Sequence, residues 1–163
     1  MAGIVITDAS PLIGLSRVNG LNWIGPLFGT VWMPIEVRGE VLSGLGNADE
    51  REILAAEQAG MLKPWPQATP TTPELPDLDE GEAACIRLGL GCGSRALLLM
   101  DDRFGRSVAQ EQGLQVAGTA AIIGMAKSRK LIPSAKEVFA RLHASDFRIS
   151  ASVIETILKR VGE

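Results

Sequence analysis

The stretch Arg95–Arg106, RALLLMDDRFGR, decides the fold. Leu97 to Met100 is an unbroken apolar run, which reads as a strand buried on both faces. Two adjacent carboxylates, Asp101 and Asp102, follow at once, and a helix-like segment begins after them. In an open parallel sheet, ligands bind in the crevice beyond the carboxyl ends of the strands. The acids therefore fall where such a sheet does its chemistry. The N-terminal stretch GIVITDASPLIGL repeats the pattern, with a β-branched strand from Ile4 to Thr7 ending in Asp8. Two strands with acidic tips suggest a metal-centred site.

Between and beyond these strands the chain alternates. Ser10-Pro11 pairs a good N-cap with the residue favoured at the first helical position. This predicts a helix from Pro11 to about Val18 and leaves Asp8 free of capping duty. A second helical segment runs from Leu21 to Phe28, and Thr30 to Met33 is a short strand. Pro34 opens the helix PIEVRGEVL, and ADEREILAAEQAG forms the next, stopped by Gly60. Met61 to Trp65 reads as an edge strand. It leads into PWPQATPTTPELP, where five prolines preclude regular structure. Helices are expected from Asp79 to Leu90, after Asp102 to about Gln112, from Gly118-Thr119, from Pro133 through Leu142, and from Phe147 to Val161. Leu114 to Ala117 is a last strand. Short apolar strands alternating with helices predict a three-layer α/β/α fold with a short, mostly parallel central sheet and extra C-terminal helices. One domain is expected over residues 1–163, with its core in 1–130 and C-terminal helices in 131–163.

Composition narrows the chemistry. The two cysteines, Cys85 and Cys92, and the lone His143 supply neither a disulfide framework nor the spacing of a structural zinc site. Both cysteines are expected to be reduced helix residues. No run reaches the roughly 18 apolar residues of a membrane span, and Asp8 interrupts the only stretch where a signal sequence would need its apolar segment. A cytoplasmic protein is expected. Charge is lopsided: residues 1–89 carry 5 Lys/Arg against 12 Asp/Glu, and residues 90–163 carry 11 against 7. Solvated helix faces account for such a split, as does an acidic pocket with a basic rim.

Four regions place acids at strand ends or on helix faces, where turn, cap and solvated roles compete singly with a shared site. Asp8 sits at a strand end. Glu36 and Glu40 lie four apart, on one helix face, where like charges repel. Glu82 points away from the charged face marked by Glu80 and Arg87 and lies between Cys85 and Ile86. An inward glutamate is costly unless it is paired or binds a metal. Asp101 and Asp102 repel one another, and only one is needed to cap the following helix. Carboxylates without His or Cys suit hard ions such as Mg2+ or Mn2+, and phosphoryl transfer is their natural chemistry.

These residues carry a resemblance. The pieces TDASPLIGLSRV, VWMPIEVRGEVL, LDEGEAACIRL, LLLMDDRFGR and VAGTAAIIGMAK follow in order from the start to about Lys130. Together they resemble PIN-domain proteins, the metal-dependent ribonuclease fold of many prokaryotic VapC-type toxins. The resemblance places the family's acids on Asp8, Glu40 (with Glu36 as the alternative), Glu82, Asp101 and Asp102. It implies that Asp8, Glu40, Glu82 and Asp102 hold Mg2+ or Mn2+, with Asp101 assisting. Ser10 and Thr119 match polar positions near the family's site, and N-capping explains each equally well. The implied activity is hydrolysis of RNA phosphodiesters. The implied partners are an RNA substrate, an antitoxin protein and a second copy of the chain in a homodimer. Arg103, Arg106, Lys127, Arg129 and Lys130 are candidates for substrate phosphates. Met100 stands where a Thr often precedes the strand-end acid in such toxins, and the proline stretch and C-terminal helices also depart from them.

The rival reading is a non-enzymatic protein- or nucleic-acid-binding module on the same fold. It would dock partners through Trp23, Trp32 and the C-terminal helices. A phosphoacceptor module fits less well, because the first strand ends in a lone Asp8 and Ala117-Gly118 follows the last one.

Overall fold

The computed structural model describes residues 3–93 and 95–163. Five short strands, β1 (Val5–Thr7), β2 (Val31–Met33), β3 (Leu62–Pro64), β4 (Leu97–Leu99) and β5 (Gln115–Ala117), form one sheet ordered β3-β2-β1-β4-β5. Every pairing among them is parallel. All three residues of β1 are buried, as expected of a central strand covered on both faces.

The helices are α1 (Ala9–Ser16), α2 (Ile24–Phe28), α3 (Ile35–Val41), α4 (Ala48–Gln58), α5 (Glu80–Cys92), α6 (Arg103–Glu111), α7 (Thr119–Ser128), α8 (Ala135–Ala144) and α9 (Ala151–Arg160). The chain steps outward from β1 to β2 to β3, crosses back to β4, and steps outward again to β5. Right-handed crossovers place helices on opposite faces for the two directions of travel. Accordingly α1 packs with α4 and α7, whereas α5 packs on β1 and β4 and against α6. The result is the three-layer α/β/α arrangement anticipated from the strand–helix alternation. Helix α3 touches both α1 and α5, so it bridges the two layers. Ile6, Leu98, Leu99 and Met100 lie fully buried between the layers with Leu12, Ile86 and Ile122. Each such side chain contributes on the order of 1.5–3 kcal/mol by leaving water.

The crossover from β3 to α5 is strapped down. Thr69 donates to Glu36 Oε1 at 2.8 Å, and Arg87 Nε donates to the Pro73 carbonyl at 2.7 Å. This explains how a proline-rich segment without secondary structure keeps one path over α3 and α5. Both cysteines lie in α5 and are free thiols.

Three local expectations are corrected. Helix α1 begins at Ala9 with Asp8, not Ser10, at the N-cap, and Asp8 makes no side-chain cap hydrogen bond. Ser10 is thus already helical. The last helix begins at Ala151, capped by Ser150, so Phe147 precedes it. Trp23 is 8% exposed and belongs to the core, and Trp32 meets Trp65 edge-on at 5.3 Å. Of the docking surface imagined around these rings, Trp23 is lost to packing.

Candidate active site

Strand register assembles the site. Thr7 pairs with Leu99, and Leu99 with Ala117. Asp8 therefore stands level with Met100, one residue short of Asp101, and Thr119 stands level with Asp101. The step between β1 and β4 is also where the strand order reverses, the topological switch point at which open α/β sheets bind ligands. A cleft of about 400 Å³ opens there. Asp8, Glu40, Asp79, Glu82, Asp101 and Asp102 line it with Ala9, Ser10 and Arg103. Six carboxylates thus face one guanidinium.

Each acid reaches the cleft by a different local route. Asp8 follows β1 directly and is only 6% exposed. Burial pushes its carboxyl up to about 7. The neighbouring Ala9 N–H opposes that shift, and the charges of Asp79, Glu82 and Glu40 add to it. Glu40 comes from the last turn of α3. Its carboxyl is raised by partial desolvation and then by Asp79. Glu82 occupies the first turn of α5 and is 9% exposed, so the helical angle that turns it inward is realised. Its carboxyl is raised by burial, then by Asp79 and Asp102. The crowding is visible at two glycines. A Cβ on Gly81 would lie 3.1 Å from Asp8 Oδ1 and 3.4 Å from Glu40 Oε2. A Cβ on Gly105 would lie 3.4 Å from Glu82 Cδ and 3.5 Å from Asp102 Oδ2.

Asp101 and Asp102 divide between two helices. Asp102 is the N-cap of α6 and accepts from Gly105 N–H with Oδ2 at 2.8 Å. Asp101 turns toward α7, where Oδ1 accepts from Thr119 N–H and Oδ2 from Thr119 Oγ, both at 2.7 Å. Thr119 is fully buried. Both acids are caps, and Asp101 has both oxygens engaged while Asp102 uses one. Gly118 must be small here, because a Cβ would lie 2.9 Å from Asp101 Oδ1.

The remaining candidates separate. Glu36 is tied to Thr69 and does not line the cleft, so of the two acids on α3 Glu40 faces it. Arg103 lines the cleft, and Arg106 reaches the Gly118–Asp101 corner. Lys127, Arg129 and Lys130 fall at or beyond the far end of α7, about 15 Å along the helix axis from its start. They stand apart from the cleft, and Lys127 donates instead to the Pro133 carbonyl at 2.7 Å. Asp79 is the acid that sequence reasoning missed. It caps α5, accepting from Glu82 N–H at 2.8 Å, and it also lines the cleft. The signal was its spacing, since a carboxylate three residues before Glu82 lies on the same helix face.

Among the described residues no three Asp, Glu, His or Cys side chains are gathered tightly enough to hold an ion between them. The geometry suits instead a hydrated ion held by one or two carboxylates and several waters, the usual habit of Mg2+. The carboxyls of Asp8, Glu40 and Glu82 are raised first by burial and then by neighbouring acids, and a bound cation would favour their charged forms against both. The oxygen-only donors are of the right chemistry.

Among the described residues no helix is long and apolar enough to cross a membrane. No curated protein and no solved structure matches the chain. A family model, the PIN domain, matches residues 4–163, taking in α8 and α9 as well as the strands. With the parallel sheet and the acidic switch point agreeing, the chain belongs to the PIN-domain family and has its nuclease-type fold.

Proposed function

We propose that the protein is a metal-dependent endoribonuclease that hydrolyses RNA phosphodiesters with Mg2+ or Mn2+. The observation that carries this reading is Asp8, a carboxylate 6% exposed at the tip of a central strand. It makes no cap hydrogen bond and faces Glu40, Asp79 and Glu82 across one cleft. A buried carboxyl that faces other acids is unfavourable in its charged form, and an ion from solution is the partner that fits it.

Asp8 with one of Glu82, Glu40 and Asp102 would hold the hydrated ion directly, and the other acids, Asp79 among them, would meet it through its waters. A bound divalent ion activates a water and neutralises charge on the departing oxygen. The chain's own groups prepare the site. Asp101 fixes the start of α7 through Thr119 and so holds its corner of the cleft rigid. Asp102 fixes α6 through Gly105 and keeps one oxygen free. Arg103 offers the cationic contact at the rim for a substrate phosphate. The toxin role, the antitoxin partner, the homodimer and the cytoplasmic setting expected from the sequence belong to the same proposal.

The test is cleavage of a mixed pool of structured and single-stranded RNAs with Mn2+, with Mg2+ and with EDTA. The wild type, Asp8→Asn and Glu36→Gln would be compared. Metal-dependent cleavage lost in Asp8→Asn and kept in Glu36→Gln is expected. Cleavage that survives in Asp8→Asn, or in EDTA, would refute the assignment.

A further inference from the structure

We infer that the far end of α7 carries a second site, a basic pole remote from the cleft that grips the backbone of a long RNA. The inference rests on the ribonuclease reading and adds to it how a long substrate is held.

Three helix ends meet there. Helix α9 lies across α7, so that a Cβ on Gly124 would lie 2.9 Å from Ile157 Cγ2 and 3.9 Å from Val161 Cγ1. Just beyond α9, the Glu163 side chain turns onto the start of α8. Its Oε1 accepts from Ser134 Oγ at 2.8 Å and its Oε2 from Ala135 N–H at 2.6 Å. The end of α7 is tied to the same point, because Lys127 Nζ donates to the Pro133 carbonyl. This brings Lys127, Arg129 and Lys130 together with Lys136, Lys159 and Arg160. All but Lys127 are exposed, and among the described residues none of them makes a salt bridge. The acids at this end are Glu137, Glu155 and Glu163, and both oxygens of Glu163 are already engaged.

Helix dipoles explain part of this collection. Lys127, Lys159 and Arg160 stand in the last turns of α7 and α9, where cations are favoured. Two others stand where stability alone would place something else. Lys136 is the second residue of α8, at the positive end of that helix's dipole. Lys130 follows the C-cap of α7 with φ at +61°, the position that glycine usually fills. The cleft supplies a reason for them. Among the described residues lining it, carboxylates face Arg103 alone, so the attraction that holds a polyanion has to come from elsewhere on the molecule. Helix α7 begins at the cleft with Thr119, and the pole lies at its other end, about 15 Å along the axis. At about 3.4 Å per nucleotide of a stacked strand, that separation is about five nucleotides. A long RNA reaches the cleft and the pole together, and a trinucleotide does not.

The test compares wild type with the combined variant Arg129→Gln, Lys130→Asn and Lys136→Gln. Asparagine tolerates the left-handed backbone at position 130, and the melting temperature should match wild type. Binding of a fluorescent RNA of about twenty nucleotides is measured in EDTA across a salt series. Wild type should bind without metal, because the pole needs none. The variant should bind about ten-fold more weakly at low salt, and its slope of log K against log salt should be smaller by about 2, for three lost phosphate contacts. With Mn2+, the variant should raise KM for the long RNA and leave kcat unchanged, the sign of lost uniform binding. Its cleavage of a trinucleotide should equal that of wild type. If wild type cleaves RNA but the variant keeps its affinity and salt slope, or loses trinucleotide cleavage as well, the pole is refuted and the nuclease stands. Binding of polyglutamate in place of RNA, lost in the variant, would give the pole to an acidic protein segment and refute the RNA assignment. Pole-dependent RNA binding without cleavage of any RNA would keep the pole and remove the hydrolase. Neither binding nor cleavage by wild type would remove both.

Discussion

Asp8 and Glu50 are equally hidden, 6% and 8% exposed, yet their surroundings are opposite. Glu50 sits in the first turn of α4 and turns back on the loop before it. Its carboxylate accepts the N–H of Gly44 at 2.5 Å and the N–H of Gly46, and its own N–H is capped by Asn47. Gly44 and Gly46 hold φ at +88° and +72°, a region open to glycine at little cost. This loop exists in a form that satisfies the acid. Asp8 has no such cradle. It makes no cap hydrogen bond, and while the Ala9 N–H favours its charged form, burial and the charges of Asp79, Glu82 and Glu40 oppose it. Burial alone therefore does not mark chemistry. A buried carboxylate whose bonds are all made is architecture, and one surrounded by its own kind would be relieved by a cation.

The largest expected difference between the two is in activity. Losing a hydrogen-bonding neighbour of a metal ligand typically costs 10–100-fold. Removing a ligand itself should cost at least as much, so Asp8→Asn should lower metal-dependent cleavage by about a hundred-fold or more. Glu50→Gln should leave kcat near wild type and lower stability by about 1–3 kcal/mol, the cost of broken buried bonds. Urea titrations alongside cleavage rates separate the two effects, and the comparison breaks if Glu50→Gln inactivates without destabilising.

A second difference lies in pH. The carboxyl of Asp8 moves from an ordinary value of 3.8 to about 7 in the folded chain. Between those values the folded state binds more protons than the unfolded one, so metal-free stability falls as pH rises through the window. At about 1.4 kcal/mol per unit the fall amounts to a few kcal/mol at most. The raised carboxyls of Glu40 and Glu82 act in the same sense. In EDTA, unfolding free energy should drop from pH 4.5 to pH 8. Asp8→Asn should flatten that slope and exceed wild type at pH 8.

Metal should reverse the penalty. Mn2+ or Mg2+ at about a hundred times its Kd should stabilise wild type by about 2.7 kcal/mol at pH 8 and leave Asp8→Asn little changed. The smallest expected effect is at Gly81. An alanine there would sit 3.1 Å from Asp8 Oδ1, pressing it from its position. Ion affinity should fall severalfold, while the melting temperature holds or rises, because alanine is favoured over glycine in a helix by about 0.5–1 kcal/mol. A calorimetric titration beside a thermal melt checks both.

Much of the site was legible because strand ends are marked locally. Apolar runs stop at Asp8 and at Asp101-Asp102, and an alternating pattern puts both tips at one end of a parallel sheet. Glu82 was legible from helical angle alone. What was hidden depends on contacts distant in sequence. Glu36 and Glu40 share one face of α3, and only the path of the proline-rich crossover, through Thr69, assigns Glu36 elsewhere. Asp79 read only as the first residue of a helix and is its N-cap, and its place in the cleft follows from where α5 begins over the sheet. Ser10-Pro11 looked like a helix start, but the turn out of β1 begins helical geometry two residues earlier. The partition of Asp101 to α7 follows from the β4–β5 register, which no local pattern records.

The measurement closest to the central claim is calorimetric titration of Mn2+ into metal-free wild type, Asp8→Asn and Glu50→Gln at pH 8. Saturable binding by wild type and by Glu50→Gln, with loss in Asp8→Asn, is the expected result. Equal binding by wild type and Asp8→Asn, or none by wild type at millimolar ion, would contradict the reading of this cleft as a metal centre.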